Sequence, residues 1–119
     1  MSFFDLLNGL LTTLDVPFYE GQPELTDEDP PEVFLSYSVY YVPKLHGCGT
    51  ELVTTYYVTV NIYTSGKDKQ TTADNVSTAL SALLTENGFV RRSGSFGLSN
   101  DFPKYYHRIV EFMYCYENS

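Results

Sequence analysis

The 119-residue sequence has no tryptophan, only two cysteines and only seven Lys and Arg residues. Each shortage excludes something. Cys48 and Cys115 are too few and too far apart for a disulfide framework, and they suit a reducing compartment such as a cytosol. Cys115, inside an aromatic run, reads as a small buried hydrophobe. The bases never cluster beyond the pair Arg91-Arg92, which argues against tight nucleic-acid binding, because phosphate neutralisation needs grouped Lys and Arg. No stretch approaches the roughly 20 apolar residues that span a bilayer. The start, Met1-Ser2-Phe3-Phe4-Asp5, lacks the basic region and small-residue cleavage site of a secretory signal.

Catalytic signatures are also missing. There is no G-x-S-x-G, P-loop or dinucleotide glycine pattern, and Gly94-x-x-Gly97 follows a strand without opening a helix, so it reads as a turn. Glu51, Glu111 and Glu117 are the carboxylates left for acid/base work, and no spacing singles them out. His46-x-Cys48 could be half of a zinc site with His107 and Cys115, but their separation of eight along a strand puts those two on one face and far apart. The sequence therefore gives no reason to expect an enzyme, a metal or a cofactor.

What is present is acid, aromatic side chains and β-branched runs. The net charge of -8 lies in one segment: before Val33 stand Asp5, Asp15, Glu20, Glu24, Asp27, Glu28, Asp29 and Glu32 with no Lys or Arg, while the remainder holds seven acids and seven bases. Residues Glu20 to Pro31 contain Gly21, Pro23, Pro30 and Pro31 and keep no apolar period. The region of about 17–32 thus reads as an acidic loop or arm, either a solvated connector or an arm that meets a basic surface. A chain this long fits one domain, burying roughly 65% of the surface its unfolded form exposes.

Ser2 with Asp5 has the spacing of a capping box, and Phe3, Leu6, Leu7, Leu10, Leu11 and Leu14 recur at helical spacing, predicting a helix from about Phe3 to Thr13 that Val16-Pro17 ends. Val33 to Val42 and Val53 to Thr64 read as antiparallel strands joined by the glycine-rich segment Pro43 to Glu51. In the second of these strands, Tyr56, Val58, Val60 and Ile62 should face the core. Thr71 with Asp74 resembles a second helix start; Val76, Ala79, Leu80, Leu83 and Leu84 follow until Asn87-Gly88, predicting a helix from about Thr72 to Asn87. Strands at Phe89 to Gly97 and Tyr105 to Tyr116 complete the order.

The expected fold is α+β: two helices packed on one face of a four-stranded, mainly antiparallel sheet. Its other face is the informative one. Phe34, Tyr40 and Val42 on the first strand, and Ile109, Met113 and Cys115 on the last, point away from the helices. A sheet apolar on both faces leaves surface for another copy or a partner to cover.

The segment ELVTTYYVTVNIYTSG (Glu51 to Gly66), the helix end Leu83-Leu84-Thr85-Glu86-Asn87-Gly88-Phe89, and the closing Tyr106-His107-Arg108-Ile109-Val110-Glu111-Phe112, in this order of elements, resemble the tail terminator or tail-to-head joining (tail completion) proteins of long-tailed phages. The resemblance covers nearly the whole chain and rests on pattern, not on invariant catalytic residues. It implies a structural virion or prophage protein in the tail neck, assembled in the host bacterial cytoplasm. There a homo-oligomeric ring, commonly a hexamer and sometimes formed only on the tube, caps the tail tube, stops its polymerisation and docks the head connector or stopper. It also implies interface candidates: Lys44, Leu45, His46 and Glu51 in the first hairpin loop; Tyr57 and Tyr63 on the second strand; Lys67 and Lys69; and Arg91 and Arg92, positioned to pair with acids of an adjacent subunit.

A compact chain of this length has a radius of gyration near ~13.5 Å, so that six disc-like subunits very roughly 35 Å wide would leave a hole about one disc wide. Two other readings compete. One is a head-side adaptor or minor tail component. The other, of a different class, is a small ligand-binding or enzymatic α+β domain, which a deep pocket lined by His46, His107 and carboxylates would favour.

Overall fold

The computed structural model describes residues 2–21, 31–44, 53–98 and 105–117. Its elements are α1 (Phe3–Thr12), β1 (Phe18–Glu20), β2 (Val33–Lys44), β3 (Val53–Thr64), α2 (Lys69–Glu86), β4 (Val90–Leu98) and β5 (Tyr106–Glu117). The α+β class and two helices stand as expected. The sheet does not: it has five strands in the order β1-β2-β3-β5-β4, and it is mixed, because β1 runs parallel to β2.

β1 was hidden in the expected acidic loop. It is three residues long, directly follows Pro17, and offers neither alternation nor length as a signal. Partner backbone makes it a strand: Leu35 N–H donates to the Pro17 carbonyl and Gly21 N–H to the Tyr37 carbonyl, both at 2.8 Å.

β2, β3 and β5 are each twelve residues long and pair without a slip, Val33 opposite Thr64 through Lys44 opposite Val53, and Val53 opposite Glu117 through Thr64 opposite Tyr106. Twelve residues at about 3.3 Å each make a blade roughly 40 Å long. The molecule is accordingly elongated, 51 × 25 × 25 Å with a radius of gyration of 15.4 Å, and not the compact disc that length alone suggests. Leu35 and Tyr37 direct their hydrogen-bonding groups outward to β1, so Pro43, of the same parity, places its missing N–H on the outer edge of β2, where no ladder bond is lost.

Both helices begin and end for local reasons. Ser2 Oγ accepts from Asp5 N–H (3.1 Å) while Ser2 N–H donates to the Asp5 carboxylate (3.3 Å), the reciprocal cap that the sequence predicts. α2 starts three residues earlier than expected, at Lys69, whose carbonyl accepts from the Thr64 hydroxyl at the end of β3 (2.6 Å). Asp74 has a different task, an ion pair with Arg108 of β5. α2 closes with Phe89 N–H donating to Leu84 C=O (3.0 Å) and Gly88 N–H to Thr85 C=O (3.3 Å), with Gly88 at φ 92°. A Cβ at Gly88 would also lie 3.3 Å from the Tyr114 ring, which would have to give by a few tenths of an ångström, so close packing adds to the backbone preference for glycine there.

The main core lies between the helices and one sheet face. Phe3, Leu7 and Leu11 of α1 and Leu80 and Leu84 of α2 meet Leu35, Tyr37, Val58, Val60, Ile62, Val110 and Phe112. Val58, Val60 and Ile62 face this core as predicted, with Tyr56 packed at its margin. On α2 the buried stripe is Ala73, Ser77, Leu80 and Leu84, spaced four, three and four residues apart, and Ala79 of the expected apolar stripe lies off this face and is exposed. Phe3 stacks on Tyr56 at 3.9 Å, and Tyr37 donates its hydroxyl to Asn8 Oδ1 (2.8 Å), tying α1 to β2.

Candidate interaction surface

Alternation along the strands sends a second set of side chains to the helix-free face. Near the start of β2 and the end of β3 this face carries its own small core of Phe34, Tyr63 and Tyr105, at most 7% exposed. Phe34 stacks on Tyr63 (4.8 Å), and Tyr105 meets Phe34 edge-on (5.2 Å). Tyr19 of β1 approaches Phe34 from the side (6.0 Å). The Tyr105 hydroxyl donates to the Pro31 carbonyl (2.7 Å), and burial pushes its pKa above the ordinary tyrosine value. His107 stacks on Tyr63 (4.5 Å), with Nε2 at 2.7 Å from Asn61 Oδ1. The Asn61 amide donates to the Ser36 carbonyl, leaving Oδ1 as an acceptor and placing a proton on His107 Nε2.

Further along the same strands the face is bare. Tyr40 is 58% exposed and Val42 39%, and Val90 at the start of β4 is 54% exposed. Tyr40 stacks on Tyr57, directly opposite in the β2–β3 register (4.7 Å), and the Arg92 guanidinium sits over the other end of this ladder, 5.1 Å from the Tyr57 ring centroid. Half-buried Glu111 and Met113 and exposed Cys115 continue the patch on β5. Cys115 is therefore not the buried hydrophobe its aromatic neighbours suggested: it lies on the uncovered end of β5. Tyr41, on the helix side, is also 60% exposed.

Tyr40, Tyr57, Thr59, Arg92 and Glu111 border a notch of about 30 Å³. Pockets that enclose small ligands run to about 300–1,000 Å³, so this is a surface feature with one cation and one carboxylate at its rim. A broader, open dish of about 460 Å³ beside Pro17 is lined by Thr12, Asp15, Val16 and Phe18, and Asp15 is its one titratable side chain. Among the described residues no three His, Cys, Asp or Glu side chains group as metal ligands, and no helix is long and apolar enough to cross a membrane. His107 and Cys115, eight positions apart on β5, are separated by about 27 Å.

The sequence-predicted interface residues do not form one site. Tyr57 and Arg92 come together in the bare patch. Tyr63 does not join them: it is 6% exposed inside the small core, because Tyr105 folds back over it. Lys67 stands in the β3–α2 connection and half-buried Lys69 opens α2, both beyond Thr64, itself about 23 Å along β3 from Tyr57. Lys44 ends β2; Leu45, His46, Glu51 and Cys48 lie outside the described residues. Sequence reasoning did not place Tyr41, Val90 or Glu111 in an interface. The signal available for them was their parity, which acquires meaning only once the strand order is known.

No protein-family model matches the sequence, and no curated protein is significantly similar to it.

Proposed function

We propose that this chain is a structural assembly subunit of the tail-terminator kind. It forms a ring, a hexamer by resemblance, on the head-proximal end of a phage tail tube, stops tube growth and presents a surface to the head connector. The observation that carries the reading is the bare half of the helix-free face. Tyr40, Val42 and Val90 lie in water on a sheet whose equivalent positions nearby are fully covered, and such aromatic patches rimmed by polar groups mark protein contacts.

The elongated shape fits a ring as well as the disc did. Six bodies 25 Å wide, touching side by side, enclose a hole of the same width, through which duplex DNA passes. A net charge of -8 disfavours retention of phosphates by such a ring, and measurable affinity for duplex DNA at physiological salt would remove this part of the reading.

The test is to add purified protein to polymerising tail-tube subunits. Shorter tubes with protein at one end only are expected, and tubes of unchanged length and bare ends would overturn the reading. Binding to a portal or head connector without effect on tubes would instead identify a head-side adaptor. The ligand-binding reading has weaker support, because the notch at Arg92 and Glu111 is smaller than a typical ligand pocket and the larger dish beside Pro17 is open, with Asp15 as its one titratable side chain.

A further inference from the structure

The two margins of the sheet carry opposite charge. On one margin, β1 and the chain around it present exposed Asp15, Glu20 and Glu32. No Lys or Arg precedes Lys44. The other margin is β4, the last strand in the order, which carries exposed Arg91 and Arg92. Among the described residues neither arginine pairs with a carboxylate. Arg91 donates to the Ser81 hydroxyl of α2 at 3.4 Å, on the helix side, and Arg92 lies over Tyr57 on the open side.

These charges cannot meet within one molecule. Four strand spacings of about 4.8 Å separate β1 from β4, roughly 19 Å, whereas salt screens exposed charges beyond about 8 Å. Between two molecules they match in height and in face. Arg91 stands opposite Phe112, which is level with Val58 and so with Val39; Glu20 stands opposite Tyr37, two residues along β2 and therefore about 7 Å away along the strand direction. Glu20 shares the parity of Phe18, which packs against the helix-side core, and Arg91 is also on the helix side.

We propose that copies of this chain join in one direction only, the β1/β2 margin of one against the β4 margin of the next, with Glu20 facing Arg91. The proposal rests on the reading of the chain as an assembly subunit and specifies how its copies meet. Charge disfavours the two symmetric contacts between margins. Two β4 margins would bring four arginines together, and two β1/β2 margins would bring acids together, so both symmetric dimers are repelled. The head-to-tail contact that remains closes into a ring or continues as a filament. Backbone groups can reinforce it: beyond β1, Val39 and Tyr41 have the outward parity of Leu35 and Tyr37, so the upper edge of β2 offers donors and acceptors to a neighbouring strand.

The experiment is a charge-swap cycle read by sedimentation velocity across a concentration series and by occupancy of tail-tube ends, with near-ultraviolet circular dichroism confirming that each variant is folded. Glu20→Arg and Arg91→Glu should each weaken self-association about tenfold, and the double variant should recover to within about threefold of the parent. A double variant as weak as the sum of the singles would overturn the directional contact while leaving tube capping by the parent protein intact. A parent protein that stays monomeric and leaves tubes untouched would overturn the assembly reading itself, and this proposal with it. As a measurement needing no variant, parent association should weaken between 20 mM and 500 mM salt; association that strengthens over this range would overturn the proposal.

Discussion

Phe34 and Tyr40 point from the same face of the same strand, six residues apart, yet Phe34 is 0% exposed and Tyr40 58%. Each stacks on a tyrosine of β3, Phe34 on Tyr63 and Tyr40 on Tyr57, at nearly equal centroid distances of 4.8 and 4.7 Å. The sheet treats them alike; what differs is the third layer. Over Phe34 the chain returns through Tyr105, anchored by its hydroxyl to the Pro31 carbonyl. Tyr40 is left 58% exposed, and the Arg92 guanidinium lies over its partner Tyr57. An aromatic cross-strand pair is thus a neutral building unit. Whether it becomes core or contact surface depends on a segment distant in sequence.

The comparison can be broken most severely at its covered end. Phe34→Ala should destabilise the protein by about 3–5 kcal/mol, since it empties the centre of the small core, and chemical denaturation measures the loss. An effect below about 1 kcal/mol would mean that this half, too, is surface. Removing only the anchor is gentler. Tyr105→Phe keeps the ring and deletes one hydrogen bond, for an expected cost of about 1 kcal/mol.

A pH series sharpens the same contrast. Burial raises the pKa of Tyr105, and burial together with the Glu20 charge raises that of Tyr37 on the helix side. A raised folded value means that the folded state holds its proton more tightly. The stabilisation is therefore complete below the ordinary tyrosine value of 10.0 and is lost as pH climbs through the folded values. Denaturation midpoints should fall above pH 10, and less steeply in Tyr105→Phe, which has one such group fewer.

The smallest effect on stability belongs to the bare end. Tyr40→Ser should change unfolding free energy by no more than about 0.5 kcal/mol while weakening self-association or tube capping, a separation that a destabilisation comparable with Phe34→Ala would abolish.

Much of the fold was legible in local pattern. Apolar spacing and the Ser2–Asp5 cap located α1 to within a residue, and the β-branched run of β3 marked its limits from Val53 to Thr64. The start of α2 was misplaced because Thr71 and Asp74 imitate a cap, whereas the helix is opened by a bond from Thr64, and Asp74 serves Arg108. β1 was invisible because its identity resides in β2. The candidate surface was half legible: an apolar set on the helix-free face followed from parity, and Tyr57 and Arg92 belong to it. Tyr63, an interface candidate on the same face, is buried; period two separates faces but cannot say which part of a face is covered.

The sequence by itself determined the elements, their faces, the acidic first third and the presence of more apolar surface than two helices can bury. These are properties of residue periodicity and local hydrogen bonding, which act over a few positions. Only the tertiary structure decided that the sheet has a fifth strand in parallel, that Tyr105 covers one aromatic ladder and not the other, and that Glu20 and Arg91 occupy opposite margins at nearly matched height. Those outcomes depend on which distant strands lie side by side, a contest among long-range contacts that no local window of the chain contains.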